Sequence, residues 1–91
     1  MKVEIPYRQT MLDNGLRVFV HEDHRAPVAC INLWYFVGSK DERPGRTGFA
    51  HLFEHLMFEG SQNVRKGQFD ELLEDVGGAN NGSTSPDRTN Y

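Results

Sequence analysis

Residues 48–59 have the sequence GFAHLFEHLMFE, and this stretch predicts both a helix and the side chains that it presents. Its apolar residues recur at the i, i+3, i+4, i+7 spacing of an amphipathic helix: Phe49, Leu52, Phe53 and Leu56. Ala50 and Met57 widen this apolar face on one side. We therefore expect a helix over residues 48–59 that packs against the rest of the protein through this face.

The opposite arc of the same helix carries His51, Glu54 and His55. Residues four apart lie about 40° from each other around a helix, so two imidazoles can converge on one ion. Glu54 lies on the flank of this arc, where it could act on a metal-bound water without ligating the metal. Phe58 falls in the arc too, which indicates that protein or an apolar pocket wall covers this side. The spacing favours zinc-dependent hydrolysis, although H-x-x-E-H alone is also compatible with ordinary helix decoration.

Length and composition set the limits of the remaining possibilities. The chain has 91 residues, which is one small domain or part of one. Hydrophobic residues make up 37% and charged residues 25%, as in globular proteins. A net charge of −3 favours neither nucleic acid nor a membrane as partner. Cys30 is the single cysteine, which excludes an internal disulfide, and its apolar neighbours predict that it is buried.

The rest of the chain predicts an α+β fold. Residues 7–12 and 16–21 are strand candidates, and the Asn14-Gly15 pair between them predicts a hairpin. Residues 28–37 are apolar on both faces, which predicts a central strand, and residues 38–45 form a polar loop. A second helix carries apolar residues from Phe69 to Val76 and ends at Gly77-Gly78. Residues 81–91 contain Pro86, which predicts an edge strand or a strand interrupted by a turn.

Several ordered motifs together resemble the insulinase/pitrilysin-type (M16) peptidases, the inverzincins. They are residues 12–18 (LDNGLRV), 38–42 (GSKDE), 45–61 around the two histidines, 77–84 (GGANNGST) and 87–91 (DRTNY). The resemblance implies that residues 1–91 are the N-terminal portion of one peptidase domain. It implies an incomplete half of a larger α/β sandwich domain, with N-terminal antiparallel strands, two helices and a further edge strand.

The resemblance also implies roles for particular residues. His51 and His55 would bind Zn²⁺, and Glu54 would activate a zinc-bound water for peptide hydrolysis. The family's third zinc ligand is a glutamate on a later helix, and no residue up to Tyr91 matches it. The family's strand at Asn81, Gly82, Ser83 and Thr84 pairs with the substrate backbone. The alternative for this segment is an Asn-Gly turn followed by a solvated strand, and Gly82 stands where many relatives carry alanine.

Three functional readings follow from these expectations. The first is a zinc-dependent endopeptidase that acts on peptides together with a second homologous half or subunit, as a homodimer or heterodimer. The second is a non-catalytic structural or binding subunit, which the family also contains. The third is an inert fragment that lacks the third ligand. Residues 1–8 contain no apolar leader segment, so the compartment stays open between the cytoplasm and, if a signal was removed, the periplasm or another exported location.

Overall fold

The computed structural model describes all residues from Met1 to Tyr91. It divides into two compact units, residues 1–30 and residues 31–91. The strands are β1 (Arg8–Met11), β2 (Arg17–Val20), β3 (Trp34–Tyr35), β4 (Ser83–Thr84) and β5 (Thr89–Asn90). The helices are α1 (Phe49–Leu56) and α2 (Gln68–Glu74), and a short 3₁₀ turn covers Ser39–Asp41. Neither helix has the length and apolar character that crossing a membrane requires.

The first unit is the predicted β-hairpin. β1 and β2 pair antiparallel, with Arg8 opposite Val20 and Met11 opposite Arg17. At the turn, the amide of Gly15 donates to the carbonyl of Leu12 at 2.9 Å. The side chain of Asn14 accepts a hydrogen bond from the amide of Leu16 at 3.0 Å. Asn14 and Gly15 therefore close the hairpin through local interactions, as the sequence predicts.

Cys30, at the end of this unit, is exposed, so the prediction that it is buried is wrong.

The second unit contains a three-stranded antiparallel sheet in the order β3-β5-β4. Only residues 34–35 of the predicted strand 28–37 form β3, and they lie at an edge of the sheet. The prediction of a central strand is therefore wrong. Ile31, within the predicted strand, is 90% exposed. β5 is central because it pairs with β3 on one side and, through the turn at Pro86, with β4 on the other.

Gly38 brings the loop after β3 against the turn between β4 and β5. A Cβ atom at position 38 would lie 2.1 Å from the carbonyl oxygen of Ser85 and 2.6 Å from the backbone of Pro86. The amide of Lys40 donates to the carbonyl of Pro86 at 2.9 Å, which holds the two segments together. Because backbone atoms occupy the space, only glycine allows this approach.

Helix α1 packs on β4 and β5 with the side that carries Glu54. Glu54 is 8% exposed and is the helix's only buried residue, whereas Phe53 on the apolar face is 59% exposed. No apolar side chain of this chain is fully buried. The predicted packed face of α1 is only partly covered, with Ala50, Phe53 and Met57 lining a cavity shared with residues of the sheet. Helix α1 is also shorter than predicted, because its last turn ends at Met57.

Helix α2 follows the second predicted helix and ends in the expected place. Its last hydrogen bonds run from the amide of Gly77 to the carbonyl of Glu74 at 3.0 Å, and from the amide of Gly78 to the carbonyl of Leu73 at 2.7 Å. The two glycines thus satisfy carbonyls at the helix C-terminus that would otherwise lack partners. The segment after them leads directly to β4, beside α1.

Candidate functional site

His51 and His55 converge on one side of α1. Their Nε2 atoms lie 2.9 Å apart, and their ring centroids are 4.7 Å apart. Two nitrogens that bind one tetrahedral zinc ion at 2.0–2.1 Å lie about 3.3 Å from each other. The two imidazoles therefore fit as two ligands of a single ion. The chain contains no group of three or more histidine, cysteine, aspartate or glutamate side chains placed to hold a metal ion together.

Glu54 lies on the same helical turn but is held by the sheet. Its Oε2 atom accepts a hydrogen bond from the hydroxyl of Thr84 in β4. Thr89, which is 4% exposed, donates from its own hydroxyl to the carbonyl of Val37 at 3.1 Å and lies 3.4 Å from the Thr84 hydroxyl. These contacts connect the Glu54 carboxylate to β4, to β5 and to the segment that follows β3. The sequence places Thr84 on the predicted substrate strand, but nothing in the sequence predicts its contact with Glu54.

The four residues of the predicted substrate strand have different surroundings. Ser83 and Thr84 form β4, whose outer side carries no further strand. The Ser83 hydroxyl donates to Asn90 at 2.6 Å. Asn81 accepts a hydrogen bond from the amide of Gly82 at 2.9 Å. A Cβ atom on Gly82 would lie 3.2 Å from the Glu54 carboxylate and 3.1 Å from the Phe58 ring, so glycine here leaves room around the carboxylate.

A cavity of about 250 Å³ opens beside Glu54 and His55. The residues that line it are Glu54, His55, Phe58, Asp70, Asn80, Asn81 and Gly82. Phe58 forms a wall of this cavity, as its position in the arc of the two histidines predicts. Asp70 of α2 also borders the cavity. Its position in the second helix does not by itself predict this contact.

A second, apolar cavity of about 270 Å³ lies between α1 and the sheet. Its lining is Tyr35, Val37, Ala50, Phe53, Met57, Thr89 and Tyr91. The Tyr91 ring also contacts the Phe58 ring, with centroids 5.7 Å apart. Burial raises the pKa of the Tyr91 phenol, and the negative charge of Glu54 raises it further. Tyr91 thus stays a neutral phenol beside the candidate base at physiological pH.

Glu42 fixes the start of α1 from a distance. Its carboxylate accepts hydrogen bonds from the amides of Gly48 at 2.7 Å and Ala50 at 2.8 Å. The first amides of a helix lack partners within the helix, and a carboxylate satisfies them and interacts favourably with the helix dipole. Hydrogen bonds from Ala50 and then Gly48 lower the pKa of Glu42 below its ordinary value. The sequence contains no periodic signal for this cap, because Glu42 precedes the helix by several residues.

This cap predicts a pH dependence of helix α1. Because the folded-state pKa of Glu42 lies below its unfolded value of about 4.3, the carboxylate stabilises the fold above that value. The contribution is lost as the pH falls through the folded-state pKa. We expect the amide resonances of Gly48 and Ala50 to move with a midpoint below that of an ordinary glutamate, as measured by NMR between about pH 2 and 6. Glu42→Gln should abolish the transition and Glu74→Gln should preserve it, and a midpoint at the ordinary value would contradict the cap.

Comparison with known proteins identifies the family of this chain. The family model described as "Insulinase (Peptidase family M16)" matches residues 17–91. A zinc protease, PqqE, from Helicobacter pylori is 38% identical over 86 residues, which cover 93% of this chain and 19% of that protein. A probable mitochondrial-processing peptidase subunit beta from Arabidopsis thaliana is 37% identical and covers 92% of this chain and 16% of that protein.

A solved structure is similar as well. The crystal structure of a protease from Helicobacter pylori superimposes with a TM-score of 0.83 at 35% identity, over 97% of this chain and 21% of that one. The chain thus spans about a fifth of the length of these relatives. It belongs to the insulinase family of peptidases, family M16.

Proposed function

We propose that this chain supplies the catalytic base and two zinc ligands of a metalloendopeptidase. One observation carries the proposal: the Nε2 atoms of His51 and His55 converge to 2.9 Å beside the buried carboxylate of Glu54. Relatives named as zinc proteases support it. The third ligand lies outside these 91 residues, which we take as the N-terminal portion of one peptidase domain.

Four side chains of this chain have distinct roles in the proposed reaction. His51 and His55 would hold a zinc ion through their Nε2 atoms. A zinc ion bound there supplies Lewis-acid polarisation of the scissile carbonyl and lowers the pKa of water toward about 7. Glu54 accepts the proton of the attacking water and delivers it to the leaving amine. The hydroxyl of Thr84 orients Glu54 by donating to Oε2, which leaves Oε1 on the side of Gly82.

The exposed outer side of β4 suits a peptide substrate. An extended peptide can bind by adding a strand to such an edge, where main-chain hydrogen bonds supply affinity for many sequences. We propose that residues 81–84 bind the substrate backbone in this way. Because Thr84 of the same strand contacts Glu54, a peptide bound at this edge would run past the candidate base.

The proposal is tested by removing the metal from the full natural protein and then adding it back. We expect about one zinc per site, hydrolysis of an unstructured peptide, loss of hydrolysis after chelation and recovery when Zn²⁺ is added back. Magnesium added instead should not restore activity, because two imidazoles form a poor site for that ion. Hydrolysis that survives complete zinc removal would contradict the proposal.

Replacing the group that orients Glu54 should affect turnover without affecting metal. Thr84→Val removes the hydroxyl and keeps the shape, so Oε2 of Glu54 loses its donor. A hydrogen bond to a charged group contributes about 1.5–3 kcal/mol, so we expect kcat to fall by about 10- to 150-fold. Zinc content should not change. Thr84→Ser retains the hydroxyl and should remain close to the parent, whereas equal losses in both variants would argue against the orienting role.

A non-catalytic subunit is the second candidate. In that case the chain would contribute its sheet and cavity to an assembly with a second homologous half. One relative is named as subunit beta of a processing peptidase, which supports an assembly of this kind. Zinc-dependent turnover distinguishes the two candidates, since only the first requires it.

A further inference from the structure

The face of the sheet that points away from α1 carries a group of polar contacts around Arg88. Successive side chains of a strand point to opposite faces, so Ser83 and Asn90 lie on the face opposite to Thr84 and Thr89. The Nη1 atom of Arg88 donates to Oγ of Ser83 at 2.6 Å and to Oδ1 of Asn90 at 2.9 Å. The Ser83 hydroxyl donates to the same Asn90 oxygen at 2.6 Å. We call these three side chains the Arg88 clamp.

The clamp extends to the third strand of the sheet. The guanidinium carbon of Arg88 lies 5.6 Å from the centre of the Trp34 ring in β3. The side-chain amide of Asn90 also donates to Oδ1 of Asn32, just before β3, at 3.3 Å. Arginine suits this place because its planar group donates several hydrogen bonds and also stacks on aromatic rings. A single side chain thus contacts all three strands of the sheet.

Strand β4 has little other support within the sheet. β4 and β5 have two residues each. The amide of Ser85 donates to the carbonyl of Arg88 at 2.8 Å, and in an antiparallel pair such hydrogen-bonded positions alternate with unbonded ones. Thr84 is therefore an unbonded position, whose own amide and carbonyl point to the free edge of the sheet. The placement of this edge depends on Ser83, which the clamp ties to β5.

We infer that Arg88 is a positioning residue that holds the edge of β4 in the geometry required for backbone pairing with a peptide. The inference rests on the proposed function, because it concerns how the same site binds its substrate. Arg88 acts through Ser83, since Glu54 and its hydrogen bond from Thr84 lie on the other face of the sheet. Loss of the clamp should therefore weaken substrate binding more than turnover.

Arg88→Leu in the full natural protein tests the inference. Leucine keeps apolar contact with Trp34 but cannot donate to Ser83 or Asn90. We expect KM for an unstructured peptide to rise about fivefold to tenfold, as for a charged hydrogen bond weakened by solvent. The kcat and the zinc content should stay close to the parent values, which is the pattern of lost binding with unchanged chemistry. Arg88→Lys keeps a charged donor and should recover part of the loss.

Peptides with methylated backbone amides separate edge positioning from a general loss of stability. In a series of one sequence, each backbone amide near the cleaved bond is methylated in turn. Methylation of an amide that pairs with β4 removes a main-chain hydrogen bond, so it should raise KM for the parent protein. The same methylation should matter less in Arg88→Leu, because both changes remove one interaction. A full methylation effect in Arg88→Leu would show a merely structural role and overturn the inference.

Arg17→Leu is the matched control. The guanidinium carbon of Arg17 also lies near an aromatic ring, 6.0 Å from the centre of Phe19, but Arg17 belongs to β2 in the first unit. Its KM and its methylation effect should equal those of the parent. A KM unaltered by Arg88→Leu, or altered equally by both substitutions, overturns the inference while zinc-dependent cleavage leaves the proposed function standing. If the parent shows no zinc-dependent cleavage of any peptide, the proposed function fails and the inference fails with it.

Discussion

Glu54→Gln should abolish most peptide hydrolysis and leave the zinc content unchanged. Glutamine has the same size and keeps a carbonyl oxygen that can accept the hydrogen bond from Thr84, so the buried position tolerates it. What is lost is the ability to accept a proton from water. General acid–base catalysis contributes about 10²–10⁴-fold, and we expect kcat to fall by that amount. The measurement combines steady-state cleavage of a peptide with metal analysis of the same sample.

The control for this change lies near the end of the same helix. Glu59 is exposed and pairs with Lys66 at 3.1 Å, so Glu59→Gln removes an equal charge without touching the base. It should retain full activity. Normal turnover by Glu54→Gln, with zinc still bound, would remove Glu54 from the mechanism. Loss of zinc in that variant would show instead that the carboxylate has a structural part in the metal site.

His51→Ala should lose the metal, and with it the activity. The substitution leaves a single imidazole on α1, because His55 is the only other histidine of that helix. Loss of an outer partner of a metal ligand already costs about 10–100-fold in affinity, so loss of a ligand should cost more than about 100-fold. Titration with Zn²⁺ measures the affinity directly. Because His51 is exposed, the helix itself should persist by circular dichroism.

His24→Ala is the appropriate control, since His24 is an exposed histidine of the first unit that pairs only with Glu22, at 3.5 Å. Its zinc affinity should equal that of the parent protein. Unchanged affinity in His51→Ala would mean that the metal binds elsewhere. An affinity that falls equally in both variants would indicate non-specific binding by surface histidines.

Local patterns in the sequence predict the elements of this fold well. Asn14-Gly15 predicts the hairpin, since the turn depends on those residues alone. The helical spacing predicts α1 and α2, and Gly77-Gly78 predicts where α2 ends. The four-residue spacing of His51 and His55 predicts that their nitrogens converge. Each of these features depends on residues within a few positions of one another.

Interactions between distant segments are what the patterns do not predict. Thr84 contacts Glu54 across thirty positions, and Glu42 caps a helix that begins several residues later. Neither pairing produces a period in the sequence. The apolar run at residues 28–37 indicates burial on both sides, but the strand order depends on the pairing of β5 with both neighbours. The burial of Glu54 is not predicted either, because periodicity identifies the faces of a helix and not their partners.

The close approach at Gly38 has a consequence for how this family can diverge. Since the backbone of Ser85 and Pro86 occupies the space that a side chain would need, no substitution at position 38 is neutral by itself. A larger residue becomes acceptable only if the turn between β4 and β5 moves away in the same lineage. A side chain at position 38 should therefore accompany a different backbone path of this turn, and not merely different residues at positions 85 and 86.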